Sequence, residues 1–382
     1  SAPVKSRRQQ VMRFPLSRAL CRPDRHPADG VLVDGVVSML DLDHALGADF
    51  VPNVHGGRED LGATLVLRTL NAAVRREHPG AITIAEESTE WRGVTGDIAH
   101  GGLGFGMKWD MGWMHDTLNY FQTPIAERPE HHGKLTFRGI YAYTERFLLP
   151  LSHDEVVHGK RSPLERMPGD SWQRLANLRL LYAWMYAQPG KKLLFMGGEF
   201  GQLREWDHDR SLDWHLVEEP AHARIADLLR DLNGLYRWIP ALHARDFDPG
   251  GFRWLDADDQ ANATASLLRA DADGETVVAA FNFSATPRVG HRLGLPRPGA
   301  WRELLNTDAI EYGGSGVGNA GAITNEAVPR TGCVVSQPIP LTPLRAMPLV
   351  RVGSDPAAFE PVTPTSTRRR TPGLQTGRAG SH

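Results

Sequence analysis

From about Gly30 to Trp238, short apolar runs alternate with stretches in which apolar residues recur at helical spacing. Val31-Leu32-Val33 and Ile82-Thr83-Ile84-Ala85 each predict a strand, and Leu61, Leu65, Leu70 and Val74 between them predict a helix over 61–77 that stops at His78-Pro79-Gly80. A helical stretch over 135–146 leads into a strand over 148–152. Asp170 and Gln173 form a capping box for a helix over 172–188, and a strand over 192–196 follows. One apolar stripe, Ile225, Leu228, Leu229, Leu232, Leu235 and Tyr236, predicts the last helix. Alternation of this kind is the signature of a parallel α/β architecture. After Pro240 the helical period disappears, and runs such as Val277 to Phe283 sit between Gly, Pro and Asp turns, which predicts an all-β domain over 239–352 after an α/β domain over 29–238. Val11 to Ala28, with Pro15, Pro23 and Pro27, follows a helical pattern only loosely, since proline costs about 3 kcal/mol inside a helix, and residues 1–28 are set apart as a degenerate N-terminal segment. Residues 353–382, rich in Pro, Thr and Arg, cannot offset their ordering entropy and are expected to be a disordered tail.

Composition narrows the class. Hydrophobic residues at 41% and charged residues at 23% fit a globular protein and exclude a charge-rich disordered chain. The richest apolar run, Leu178 to Ala187, ends at Pro189-Gly190, far short of the ~18 residues of a membrane span. A formal charge of −2 gives no reason to expect a nucleic-acid partner, because such binding runs on clustered Lys and Arg. Cys21 and Cys333 are too far apart in sequence to read as a metal cluster, a CxxC pair or a disulfide framework, so a reducing cytoplasm is the simplest expectation. The basic N-terminus lacks the apolar core of a signal peptide and leaves an Arg-rich transit peptide open.

Three acidic residues stand just beyond expected strands: Asp34, Glu86 and Asp154. Parallel α/β folds gather their active sites at the carboxyl ends of strands, whereas a surface acid has no preference for that edge. Each alone reads as well as a helix cap or loop charge as it does as a site residue; three at one rim favour a site. Glycoside cleavage wants several carboxylates in one pocket, one to attack or stabilise an oxocarbenium-like transition state and one to protonate the leaving oxygen. Trp109, Trp113, Trp206 and Trp214 fall in polar, Gly-containing loops, where ring faces suit either sugar stacking or loop packing. Gly316 to Gly321 matches G-x-G-x-x-G without a strand–turn–helix around it, and Asp154 to His158 resembles a zinc-protease helix with Asp where the first His belongs, so neither carries a function. His131-His132 reads as a solvated loop. No metal and no cofactor are expected.

The stretches Ala85-Glu86-Glu87-Ser88-Thr89, Gly102 to Asp116 (GLGFGMKWDMGWMHD), Leu151 to Lys160 (LSHDEVVHGK) and Phe195 to Gln202 (FMGGEFGQ) closely resemble the bacterial glycogen branching enzymes, 1,4-α-glucan branching enzymes of the α-amylase superfamily (glycoside hydrolase family 13). The likeness runs from about Asp29 to Val352 and includes Tyr312 to Asn319. It implies strands four to eight of a (β/α)8 TIM barrel followed by a β-sandwich, with Asp34 as nucleophile, Glu86 as general acid/base and Asp154 as third carboxylate. His153, Trp109 and Trp113 are the implied substrate-binding residues. The implied substrate is an α-glucan such as glycogen or amylose, handled in the cytoplasm by a monomer.

Two departures accompany the match. The family has Arg two residues before the nucleophile, where this chain has Leu32; residues two apart share a strand face, so the Arg would stand beside the nucleophile and favour its ionised form. About three βα units should also precede Asp34, but at most about 30 residues stand there, where a whole barrel takes about 250. The expectation is therefore a C-terminal portion of a branching enzyme, weakly active or inactive alone. A related hydrolase or transglycosylase, or a non-catalytic glucan-binding fragment, stays open beside it.

Overall fold

The computed structural model describes residues 29–44, 50–319 and 321–351; the expected N-terminal segment 1–28 and the tail 353–382 lie outside the described residues. The short apolar runs form strands β1 (Gly30–Val33), β2 (Ile82–Ala85), β3 (Met107–Trp109), β4 (Phe147–Leu151) and β5 (Lys191–Leu194). They make one parallel sheet in chain order, with Gly30 opposite Ile82, Ile84 opposite Met107, Lys108 opposite Phe147 and Leu148 opposite Lys191. This is the partial barrel that the resemblance implies, and β4 is buried along its whole length, as a parallel strand covered on both faces should be.

Parallel strands need crossovers. Helix α1 (Leu61–Glu77) joins β1 to β2, its first turn capped by the Asp60 carboxylate, which accepts from Gly62 N at 2.8 Å and Ala63 N at 3.0 Å. Helices α2 (Met111–Gln122) and α3 (Ser171–Ala187) precede β4 and β5, and α4 (Pro220–Trp238) follows β5. The capping box at Asp170 and Gln173 is present. Between β2 and β3 there is no long helix. A glycine-rich loop takes its place, folded so tightly that a Cβ on Gly102 would meet the Gly96 carbonyl group at 2.3 Å. Side chains brace its backbone: Arg68 Nε donates to Gly102 O at 3.0 Å, Asn71 Nδ2 to Leu103 O at 2.7 Å, and the Glu145 carboxylate accepts from Val94 N and Thr95 N at 2.8 and 2.7 Å.

Two expectations are corrected here. The helix over 135–146 is instead a single helical turn, Gly133–Thr136, and a 3-10 turn, Phe137–Ile140. Buried Arg138 decides this: its Nε reaches Asp110 Oδ2 at 2.6 Å, which draws the chain inward while Phe137 and Ile140 face solvent. The stretch around Trp109 and Trp113, expected to be a polar loop, holds strand β3 and the start of α2; a three-residue strand centred on buried Lys108 is too short to show a period.

The β domain contains β6 (Phe252–Asp256), β7 (Thr264–Ala270), β8 (Thr276–Asn282), β9 (Arg288–Leu295), β10 (Ala300–Glu303), β11 (Ala322–Thr324), β12 (Val335–Leu341) and β13 (Arg345–Arg351). Six strands form one antiparallel sheet, β11-β10-β13-β8-β7-β6, and β9 pairs with β12. Strand β8 is buried on both faces because it separates two cores. Val278 and Ala280 face Leu293, Leu295 and Ile339 of the β9–β12 ribbon, whereas Ala279 and Phe281 face Trp184 of α3. Helix α3 is accordingly buried all round from Ala176 to Ala187. One core thus runs from the helices into the β domain, and the carboxyl rim of the parallel sheet stays open. Among the described residues no helix is long and apolar enough to cross a membrane.

Candidate active site

The three acids come from three strand ends. Asp34 follows β1 directly and is exposed. The next residue, Gly35, has φ +61°, a left-handed conformation that L side chains rarely adopt. That turn aims Gly35 N at Glu86 Oε2, 3.0 Å away, while Glu86 N donates to Val33 O at 2.9 Å and Val36 N donates to Glu86 O at 3.0 Å. The ends of β1 and β2 are therefore laced together around the two carboxyls.

Burial pushes the Glu86 carboxyl up, the shared hydrogen bond with Asp34 and the charges of Asp34 and Asp154 add to it, and only the Gly35 N–H opposes them; the result is about 7. Glu86 thus keeps a proton near neutral pH beside a second, more exposed carboxyl. Environments that separate neighbouring carboxyls in this way assign the acid role to the buried one.

Asp154 lies in the 3-10 turn His153–Val156 just after β4 and is half-exposed. His153 Nε2 stands 3.3 Å from Asp154 Oδ1. The His153 ring meets Trp109 edge-on at 6.4 Å and tilts against Phe195 at 5.8 Å. Val157 is extended, so 154–158 is not the helix a zinc-protease motif would require.

The tryptophans are redistributed. Trp109 ends β3 at 1% exposure, and Trp113 lies in the first turn of α2 at 2% exposure, held by the Asp110 cap. Neither ring offers a free face to a sugar among these contacts, because strand and helix geometry turn both inward. Trp214, 53% exposed and tilted against Phe200 at 5.3 Å, is the open ring of the set, and Trp206 packs edge-on against Phe195 at 5.4 Å. Asp207, His208 and Asp209 bring three ligand atoms within 4.8 Å of one another on the turn after Trp206, where His208 and Asp209 are exposed and pair at 3.4 Å.

Residues 254–349 match the family model described as the alpha amylase C-terminal all-beta domain. Over 348 residues the chain is 51% identical to a 1,4-alpha-glucan branching enzyme of Xanthomonas campestris pv. campestris, covering 91% of this chain and 48% of that protein. Branching enzymes of Aromatoleum aromaticum and Nocardia farcinica are 52% and 50% identical over 90% and 89% of the chain, and 54% and 46% of their own lengths. Over about nine-tenths of its length the chain is similar to 1,4-alpha-glucan branching enzymes. It spans about half the length of the curated relatives it matches.

Leu32 is 39% exposed on the same face of β1 as Asp34, so it borders the carboxyls with an apolar side chain. Sequence reasoning missed the support behind Glu86. Glu87 is fully buried and forms an ion pair with Lys108 of β3. The signal was available: a second acid directly after Glu86 must point to the opposite side, into the fold, and a buried acid needs a cation.

Proposed function

We propose that the protein containing this chain is a glycogen-branching glycosyltransferase and that Asp34, Glu86 and Asp154 do its chemistry. Asp34 Oδ attacks the anomeric carbon of an α-1,4-linked glucan while Glu86 gives its proton to the departing 4-oxygen. A glucosyl ester on Asp34 results, and Glu86 is left as a carboxylate. Glu86 then takes the proton of an acceptor 6-hydroxyl as that oxygen displaces Asp34, which forms the α-1,6 branch and restores both groups. Asp154 and His153 hold sugar hydroxyls, and the Asp154 charge offsets positive charge developing on the ring.

The observation that carries this reading is the lacing of the two strand ends, Gly35 N to Glu86 Oε2 at 3.0 Å and Glu86 N to Val33 O at 2.9 Å, which sets Asp34 beside a Glu86 whose carboxyl is raised to about 7. An inverting enzyme keeps its carboxyls roughly 6.5–9.5 Å apart to seat a water between them. Acids set on adjacent laced strand ends favour the retaining route, which carrying the α configuration from a 1,4 link to a 1,6 branch requires. The substrate is an uncharged α-glucan such as glycogen or amylose. No nucleic acid, metal or cofactor enters, and the setting is a monomer in the cytoplasm.

Iodine staining of amylose after incubation with the chain, alone and mixed with the preceding part of a branching enzyme such as that of Xanthomonas campestris, tests the proposal. Branching in either setting supports it, and added reducing ends without α-1,6 linkages would point to a hydrolase instead. Glucan binding with no turnover in both settings would sink the catalytic reading.

A further inference from the structure

The loop after β4, which carries Asp154, closes in an unfavourable backbone conformation. His158 (φ 59°) and Arg161 (φ 66°) are two of the five non-glycine residues with positive φ among the described residues, and Gly159 between them is at 80°. Side chains with a Cβ resist this region, so something must hold them there. The holder comes from the loop after β5. The Glu205 carboxylate accepts from Gly159 N through Oε2 at 3.1 Å and from Arg161 N through Oε1 at 2.5 Å, while the neighbouring Trp206 N donates to Val156 O at 2.9 Å. On the inner side, buried Arg166 donates through Nε to Lys160 O at 2.5 Å and through Nη1 to Glu155 Oε2 at 3.2 Å, and Lys160 Nζ donates to Glu155 Oε1 at 3.0 Å. Glu155 is the residue after Asp154. The clamp on 158–161 therefore reaches the third carboxylate through one covalent step.

We propose that Glu205 is a positioning residue for Asp154: its carboxylate closes the left-handed turn 158–161 and so fixes the turn His153–Val156 at the sheet rim. The proposal rests on the reading of Asp154 as the third carboxylate. The two backbone N–H groups also hold the Glu205 carboxyl below the usual carboxylate range, so it accepts from both at neutral pH.

Backbone amide exchange in the full 382-residue chain needs no turnover and tests the clamp by itself. In Glu205→Ala, peptides over 153–161 are expected to exchange at least about tenfold faster, while α3 keeps its wild-type protection as the sign that the fold persists. Glu205→Gln, with one acceptor oxygen left, falls between; should α3 lose protection in the alanine variant, the glutamine variant decides. In the branching assay, kcat for Glu205→Ala falls about tenfold or more with KM for amylose nearly unchanged, and Glu205→Gln recovers part of the loss. Wild-type exchange over 153–161 in Glu205→Ala would overturn the proposal. Fast exchange with unchanged kcat would also overturn it, since Glu205 would then brace only the outer loop. Absence of turnover in the unsubstituted protein counts against the functional reading instead, and exchange at His153–Val156 then decides the clamp alone.

Discussion

Lys108 Nζ lies 2.5 Å from Glu87 Oε2, with both side chains buried immediately behind Glu86. The pair is ionic more than a well-angled hydrogen bond, and each partner is tied further: Lys108 Nζ donates to Thr89 O at 2.8 Å and Thr89 N donates to Glu87 Oε1 at 2.7 Å. Strand β3 thereby fixes the chain just past Glu86. Breaking a buried pair from one side leaves a charge without compensation, at a cost of about 3–5 kcal/mol. Lys108→Met is expected to lose stability on that scale in urea denaturation, whereas the double substitution Lys108→Met with Glu87→Leu recovers most of it. A single variant as stable as wild type would show that the pair holds nothing in place.

Glu86 makes the stability of the chain pH-dependent in a direction its raised carboxyl sets. The folded state binds this proton more tightly than the unfolded state, whose carboxyl is near 4.5. The contribution is fully present below 4.5 and is lost as pH rises through about 7. Glu86→Gln should therefore flatten the fall in urea midpoint between those two pH values relative to wild type. Branching activity should decline on the alkaline side as the same proton leaves the acid. Identical midpoint profiles for the two proteins would count against the raised carboxyl.

Gly35→Ala tests the turn that joins the two carboxyls. At φ +61° an L residue is disfavoured by about 1–2 kcal/mol, although a Cβ there would meet Ser38 Oγ only at a comfortable 3.6 Å. The expected result is a modest loss of thermal stability. A second effect is more specific: if the Gly35 N–H moves off Glu86 Oε2, the one contact that favours the ionised form goes, and the alkaline limb of the activity profile shifts to higher pH. A lower melting temperature with an unmoved alkaline limb would separate the backbone role from the electrostatic one.

Much of this was legible in the sequence where a period had room to show itself. The helix over 61–77 was read with its bounds, and the strand at Ile82 to Ala85 as well, because each is flanked by a cap or a Pro-Gly stop. Strands β4 and β5 were displaced by a residue or two, since neither the all-apolar β4 nor β5, Lys-Lys-Leu-Leu, alternates in a way that marks its ends. The rim position of Asp34, Glu86 and Asp154 follows from strand order alone. The inward turn of Trp109 and Trp113 did not, because it depends on a three-residue strand and on Asp110 capping α2 from within a stretch that looks like a polar loop. The clamp by Glu205 was equally hidden, as its partners are backbone N–H groups more than 40 residues away.

Leu32→Arg tests whether a cation beside Asp34, the proposed nucleophile, improves the site. Leu32 shares the face of β1 with Asp34 and is partly open, so an Arg side chain can extend along the rim without displacing core atoms. Its guanidinium would attract the Asp34 carboxyl and hold it along the rim. Branching by the chain mixed with the preceding part of a relative should rise about tenfold or more, on the scale of a well-placed charge. An unchanged rate would mean that Leu32 is not what limits Asp34.

The last prediction concerns the floor of the sheet, where Asp246 joins it to the β domain. Its carboxylate accepts from Lys191 Nζ of β5 at 3.0 Å, from Arg269 Nη2 of β7 at 2.8 Å and from the Tyr236 hydroxyl of α4. Burial pushes the Asp246 carboxyl up, but the charges of Lys192, Arg269 and Lys191 and the Tyr236 hydroxyl outweigh it and hold the group below the usual range. Its stabilisation is therefore present at neutral pH and lost as pH falls through the depressed value. Lys192 shows the converse: burial and the charges of Arg269, Arg138 and Lys191 lower its ammonium well below the usual range, and Asp246 opposes that shift. Asp246→Asn leaves the buried Arg269 guanidinium beside a neutral amide and is expected to cost about 3–5 kcal/mol at pH 7. In urea denaturation the gap to wild type should narrow as pH is lowered below 3.8, because the wild-type carboxyl then becomes neutral too. A gap that stays constant with pH would mean that packing, and not charge, makes this joint.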